Sequence, residues 1–170
     1  MTTNLIAMTV RLESAVARAL AEKARNEGHE VADYAADVLA LHVMPELEKN
    51  DPDAARRLQA ELELKAAAIK FAVDETKRSG FDPHITLKTF QQIRKDDKLR
   101  PLFVRAIGNR PGDERGNPIK ARINRSLGAA IKTAVGAVPQ TANGNPLKAQ
   151  VTGEFILSYT PLSPAPGTTV

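Results

Sequence analysis

A short alternating segment near the start of the chain limits the possible folds more than any other feature. Met8, Val10 and Leu12 face one way if this segment is extended, and the residues between them face the other way. A period of two predicts a β-strand with one buried face. A single strand leaves backbone donors and acceptors unpaired on both edges and is not stable by itself. We therefore expect a second copy of the chain to supply the partner strand.

Two helices are predicted directly after this strand. Ser14 is a suitable N-cap for the first helix, and the turn Asn26-Glu27-Gly28 ends it. The second helix is predicted from Val31 to about Leu47. In the expected dimer the two strands pair antiparallel across a two-fold axis, and the four helices bury the apolar face of the resulting ribbon.

The opposite face of this two-stranded ribbon carries Ala7, Thr9 and Arg11 from each chain. A two-stranded ribbon fits the major groove of DNA. Arg11 can donate two hydrogen bonds to a guanine edge, Thr9 can bond several bases, and the Ala7 methyl group can contact a thymine methyl. The pattern thus predicts base-specific recognition of double-stranded DNA.

The run from Met8 to Ser14, followed by a helix, Gly28 and a longer helix, resembles the ribbon-helix-helix family of prokaryotic repressors and antitoxins, the Arc, MetJ and CopG group. The resemblance covers residues 1–48 and implies an obligate homodimer. It implies a dimer core of Met8, Val10 and Leu12, base reading by Ala7, Thr9 and Arg11, and a phosphate clamp at His29, Glu30 and Val31. The family usually has Ser or Thr where this chain has Glu30, whose carboxylate repels phosphate.

A third helix is predicted from the punctuation Asn50-Asp51-Pro52-Asp53, which combines a capping residue, a proline in the first turn and acidic residues near the positive end of the helix. We assign residues 49–80 to this connecting helix. Its predicted apolar stripe is Leu58, Leu62, Ala66, Ile69 and Val73.

The remaining residues are predicted to form a basic α+β domain at 81–160 and a disordered tail at 161–170, which is rich in Pro, Ser, Gly and Thr. The predicted helices of the domain are 88–94, 99–107 and 117–136. A loop at 139–146 and a hairpin of strands 147–151 and 154–159 follow, with Thr152-Gly153 as the hairpin turn. The fold class is therefore mainly α with short strands.

Charge is distributed unevenly along the chain. Residues 1–80 hold 11 Lys and Arg against 14 Asp and Glu, a balance of −3, whereas residues 81–170 hold 13 against 6, a balance of +7. A basic half is typical of proteins that bind polyanions, and a basic solvated surface is the alternative. Further cations suited to following phosphates are Lys95, Lys98, Arg100, Arg105 and Arg110.

The order of the helix at 117–136 and the hairpin is that of a winged helix-turn-helix. This arrangement would place four cations on the helix offered to DNA, as phosphate contacts. They are Lys120, Arg122, Arg125 and Lys132. The alternative is a small α+β domain that binds a protein or another ligand.

No enzyme signature is present in the sequence. The three histidines, His29, His42 and His84, lie in different predicted elements without metal-ligand spacing, and there is no cysteine. The glycines of the loop 108–117 follow no predicted strand, as a phosphate-binding loop would require. We expect no catalytic residues, no metal and no cofactor.

The sequence therefore predicts a homodimeric, sequence-specific DNA-binding protein, most simply a bacterial transcriptional regulator. No segment approaches the ~20 apolar residues that span a bilayer, so we expect a cytoplasmic protein at the nucleoid, with no membrane partner. Two alternatives remain open. One is an antitoxin whose C-terminal part binds a toxin, and the other is a dimeric interaction protein that does not read DNA.

Overall fold

The computed structural model describes residues 8–27 and 29–166, and the chain is mainly helical, as predicted. Ala7 and Gly28, which have predicted roles, lie outside the described residues. The helices are α1 (Ser14–Asn26), α2 (Val31–Asn50), α3 (Pro52–Ser79), α4 (Ile85–Lys95), α5 (Leu99–Ala106) and α6 (Pro118–Ala134). None of these helices has the length and hydropathy needed to cross a bilayer.

Two of the helices begin at side-chain caps of the kind that the sequence indicates. The Asp51 carboxylate accepts a hydrogen bond from the backbone N–H of Ala54 at 3.0 Å, and Pro52 opens α3. The Asn117 side chain accepts from the N–H of Lys120 at 3.1 Å, and Pro118 opens α6. Each cap satisfies one of the N–H groups that the first turn of a helix leaves unpaired.

Helix α3 is the central element of the core and is more than a connector between two domains. It contacts α2, α4, α5 and α6. Its most buried residues include Ala60, Leu64, Ala68 and Ala72, which follow one another every four positions. This row differs from the stripe predicted from the sequence, whose residues are half-buried or, at Ala66, exposed. The predicted boundary at residue 80 therefore falls inside one shared core.

Six short strands in the described ranges form three separate antiparallel pairs. They are β1 (Ala137–Pro139), β2 (Thr141–Ala142), β3 (Asn145–Pro146), β4 (Ala149–Gln150), β5 (Ser158–Tyr159) and β6 (Leu162–Pro164). Their pairs are β1 with β6, β2 with β3, and β4 with β5. The arrangement does not establish the predicted wing.

Three predictions for this region need correction. The segment 139–146, predicted as a loop, contains the paired strands β2 and β3. The strands of the predicted hairpin do pair, as β4 and β5, but residues 151–157 separate them in place of a two-residue turn. The predicted tail begins at residue 161, yet Leu162 is buried and β6 pairs with β1. The burial of Leu162 in the core stabilises this segment, although its high proline content predicts disorder.

Candidate functional site

The predicted base-reading residues that the structure describes lie at the surface. Thr9 and Arg11 are both exposed, in a segment before α1 that belongs to no helix or strand of the single chain. The alternating apolar residues of this segment are exposed as well, with 79% of Met8, 57% of Val10 and 47% of Leu12 accessible to solvent. Contacts within one chain therefore leave the apolar side chains of this segment largely uncovered.

Further exposed apolar side chains lie on α1 and α2. Of the twelve large apolar side chains that the described part of the chain leaves exposed, nine lie between residues 8 and 43. The six on the two helices are Val16, Val31, Val38, Leu39, Leu41 and Val43. With Met8, Val10 and Leu12 they make up what we call the N-terminal apolar surface. Concentrations of exposed apolar residues of this kind mark interaction sites in folded proteins.

The predicted phosphate clamp is occupied by contacts within the chain. His29 is largely buried, and its Nδ1 lies 3.9 Å from a carboxylate oxygen of Asp37. The same carboxylate receives the ammonium of buried Lys65 at 2.7 Å. Glu30 accepts a hydrogen bond from the Thr133 hydroxyl of α6 at 3.2 Å. The Glu30 side chain therefore joins the start of α2 to α6, whereas His29 lies beside a carboxylate of α2 itself without a hydrogen bond at Nδ1.

Two of the four cations predicted on α6 are engaged inside the protein. Lys120 is buried, its ammonium donates to the backbone carbonyl of Glu114 at 3.0 Å, and burial lowers its pKa. Arg122 forms a two-pronged ion pair with Glu61 of α3, at 2.6 and 2.5 Å, and these hydrogen bonds raise its pKa. Lys120 and Arg122 therefore already have partners within the chain.

The other two cations of α6 remain available. Arg125 is exposed and Lys132 is half-buried, and both line a cavity of about 300 Å³ together with Tyr159. They are seven residues apart, so they lie on the same face of the helix. Lys132 also directly precedes Thr133, the residue that binds Glu30 at the start of α2.

The ion pair between Arg122 and Glu61 should contribute to folding. We expect Arg122→Ala to lower the free energy of unfolding by about 1–3 kcal/mol, because it leaves a largely buried carboxylate without its charged donor. Arg125→Ala, three residues further along α6, is the matched control and should change stability by less than about 0.5 kcal/mol. Urea unfolding measures both. Equal stability of Arg122→Ala and the wild type would show that the pair contributes nothing.

An arginine-lined cleft of about 550 Å³ lies where the start of α3, the end of α5 and the start of α6 meet the loop 107–117. We call it the arginine cleft. Its arginines are Arg56, Arg57, Arg105, Arg110 and Arg115. In the sequence, Arg105 and Arg110 stand out only as scattered cations, because nothing local indicates that these five side chains share one cleft.

The loop of the arginine cleft is held in place from three directions. The Asn117 side chain donates to the carbonyl of Ile107 at 3.3 Å, and Lys120 holds the carbonyl of Glu114. Gly112 packs against the ring of Phe155, where an added Cβ would lie only 2.4 Å from a ring carbon. The cleft is therefore supported by a fixed loop, which favours a preformed site.

His84 is joined to Tyr159 on another part of the surface. The Tyr159 hydroxyl and His84 Nδ1 are 2.7 Å apart, and Asp82 accepts a hydrogen bond from the backbone N–H of His84 at 2.7 Å. Burial, together with the charge of Asp82, raises the pKa of Tyr159. These contacts tie the loop before α4 to β5. Among the described residues, no cluster of three or more His, Asp or Glu side chains is arranged to hold a metal ion.

Comparison of the chain with protein-family models, curated proteins and solved structures gives no match.

Proposed function

We propose that the protein is a homodimer that binds double-stranded DNA through a ribbon formed by residues 7–12 of two chains. The N-terminal apolar surface is the observation that carries the proposal. The apolar side chains of Met8, Val10 and Leu12 are exposed and alternate with two exposed polar residues, Thr9 and Arg11. This alternation is required if the dimer is to cover one face of the ribbon and leave the other face free to bind a ligand. A transcriptional regulator is the simplest role for such a dimer.

A second copy is the occupant that best fits the N-terminal apolar surface. An extended segment with free edges pairs most readily with a strand that has the same length and the same alternation. Antiparallel pairing of two identical segments across a two-fold axis satisfies both requirements at once. The exposed apolar residues of α1 and α2 would be covered in the same step, which removes most of the exposed apolar area from water.

The cations for holding the DNA backbone come from more than one element in this proposal. The carboxylate of Glu30 repels phosphate, and its hydrogen bond with Thr133 fixes it in place. Lys132 is adjacent to this contact and Arg125 lies on the same face of α6, so both can supply positive charge beside the start of α2. Arg11 and Thr9 carry base recognition, because their side chains are exposed.

Arg11 provides the direct test of base recognition. A preferred duplex is first selected from random DNA with the full chain and is then titrated with Arg11→Ala. We expect the variant to lose about 1–3 kcal/mol of discrimination at one guanine position, since a two-pronged contact to its edge is removed. The fold should persist, because Arg11 is exposed.

Arg18→Ala is the matched control for this titration. Arg18 is exposed on α1, outside the ribbon, and its loss removes the same charge. It should leave the base preference unchanged. If Arg11→Ala binds the selected duplex as tightly as the wild type does, the ribbon does not read bases, and a dimer that binds only proteins becomes the better proposal.

A further inference from the structure

The arginine cleft holds more positive charge than its own carboxylates neutralise. Five guanidinium groups face two acids, Asp53 and Glu114, which leaves a balance of +3. Arg56 pairs with Asp53 at 2.5 Å, and Arg110 pairs with Glu114 at 3.9 Å. The other three form no ion pair with any residue between 8 and 27 or 29 and 166. They are Arg57, Arg105 and Arg115.

Gathering like charges in one concave place is unfavourable unless an anion enters. Repulsion between guanidinium groups grows where the surrounding protein lowers the effective dielectric constant below that of water. Flexible arginine side chains on an open surface would spread apart to reduce it. Here Arg57 is half-buried at the start of α3, and Asn117 and Lys120 tie the backbone of the loop that carries Arg115 to the protein. The other four arginine side chains of the cleft are exposed at its rim. The cleft is therefore charged before any ligand arrives.

The start of α6 adds to the positive potential of the cleft. Pro118 and Ile119, in its first turn, line the cavity. The helix is 17 residues long and has no acidic residue in that turn. The N-terminal end of such a helix carries about half a positive charge. Pro118 has no N–H and Asn117 accepts from the N–H of Lys120, so this end attracts an anion through the helix dipole. Three arginines that pair with no acid of the described chain and a helix start thus meet in one cavity.

We propose that the arginine cleft binds a small ligand carrying two or more linked phosphate groups. Guanidinium groups match phosphate oxygens with two parallel hydrogen bonds, and arginine is preferred over lysine for this purpose. A single phosphate would leave part of the +3 balance uncompensated, whereas a diphosphate or triphosphate neutralises it. The volume of about 550 Å³ falls within the range of small-molecule sites. A nucleoside polyphosphate and inorganic polyphosphate share the chemistry that this cleft recognises.

Calorimetric titration of the full chain with inorganic tripolyphosphate tests the proposal without any DNA. We expect saturable binding with one site per chain, and weaker binding of sulfate at equal ionic strength. Arg57→Ala and Arg105→Ala should each weaken tripolyphosphate binding roughly tenfold or more, since each removes a charge-assisted contact. A parallel titration with adenosine triphosphate and adenosine shows whether a nucleoside adds affinity to the phosphate chain.

Arg100→Ala is the matched control, because Arg100 is an exposed residue of α5, the helix that also carries Arg105, and it does not line the cleft. It should bind tripolyphosphate as the wild type does. Arg105→Lys keeps the charge but loses the fork, so its affinity should fall between those of Arg105→Ala and the wild type. Thermal unfolding confirms that each variant is folded, and the exposure of Arg105 makes a loss of fold unexpected.

Three results would overturn the proposal. The first is the absence of saturable tripolyphosphate binding, and the second is an equal loss of affinity in Arg100→Ala and Arg105→Ala, which indicates general surface attraction. The third is a loss of affinity for a short DNA duplex, but not for tripolyphosphate, when the arginines of the cleft are replaced. That result would assign the cleft to binding of the nucleic-acid backbone. Because the titration needs neither a dimer nor DNA, its outcome is independent of the proposed DNA-binding function.

Discussion

Val10→Asp should convert the protein from a dimer to a monomer at micromolar concentration. In the proposed ribbon, Val10 of each chain is buried against the helices of the dimer, so the substitution places two carboxylates in an apolar interface without partners. The cost of burying an unpaired charge exceeds what one interface side chain contributes to association. Light scattering on the wild type should give twice the chain mass, and on Val10→Asp the mass of one chain.

Leu157→Asp separates this effect from a general response to an added charge. Leu157 is 53% exposed, close to the 57% of Val10 in the single chain, and it lies outside the N-terminal apolar surface. The control should remain a dimer. Affinity for a selected duplex should fall by well over tenfold in Val10→Asp alone, because one half of the ribbon cannot fill the groove. A folded wild-type monomer, or a dimer that survives Val10→Asp, would contradict the ribbon.

Leu64→Ala should be among the most destabilising single substitutions in the chain. Leu64 is fully buried on α3, the helix that α2, α4, α5 and α6 all contact. Removal of a buried leucine side chain leaves a cavity and costs about 2–5 kcal/mol. Because elements from both halves of the chain pack on α3, we expect one cooperative unfolding transition by urea, shifted to lower concentration with an unchanged slope.

Leu62→Ala provides the comparison within the same helix. Leu62 belongs to the stripe that the sequence predicts as apolar, yet it is only half-buried in the structure. Its truncation should therefore cost clearly less than that of Leu64, about 1 kcal/mol. If Leu62→Ala is the more destabilising of the two, Leu64 is not the centre of the α3 core. Two separate transitions would contradict a core shared by both halves.

The starts of α3 and α6 are determined by neighbouring residues, which explains why the sequence predicts them. Ser14, predicted as the N-cap of α1, is instead its first helical residue, and the N-cap Glu13 makes no side-chain cap bond. Asp51 and Asn117 bond to N–H groups three residues further along the chain, and the prolines that follow them suit a first helical turn. The turn Asn143-Gly144 is equally local. Both of its residues have positive φ, as a two-residue hairpin turn requires, and the pair is a strong hairpin signal. The segment 139–146, predicted as a loop, therefore contains a short hairpin that its own residues indicate.

Contacts between residues that are far apart in the sequence are decided only by the tertiary structure. β1 and β6 each contain a proline, which suggests a loop, and their stability comes from each other and from buried Leu162. Arg122 and Lys120 are predicted as DNA contacts from their positions on α6. In the structure Arg122 pairs with Glu61, and Lys120 donates to the carbonyl of Glu114. The spacing of two residues predicts whether they lie on the same face of their helix. Whether that face is exposed to solvent depends on the other elements that pack against the helix.

The sequence by itself determines the alternation of apolar and polar residues from Met8 to Leu12. It also determines the caps of α3 and α6, because each cap depends only on residues that are close to it in the chain. The choice of Leu64 over Leu62 as the core of α3 depends on which neighbouring helices pack against it. The arginine cleft likewise exists only in three dimensions, since α3, α5 and the loop 107–117 each supply part of its charge. Folding brings these groups together because the burial of the apolar core outweighs the repulsion among them.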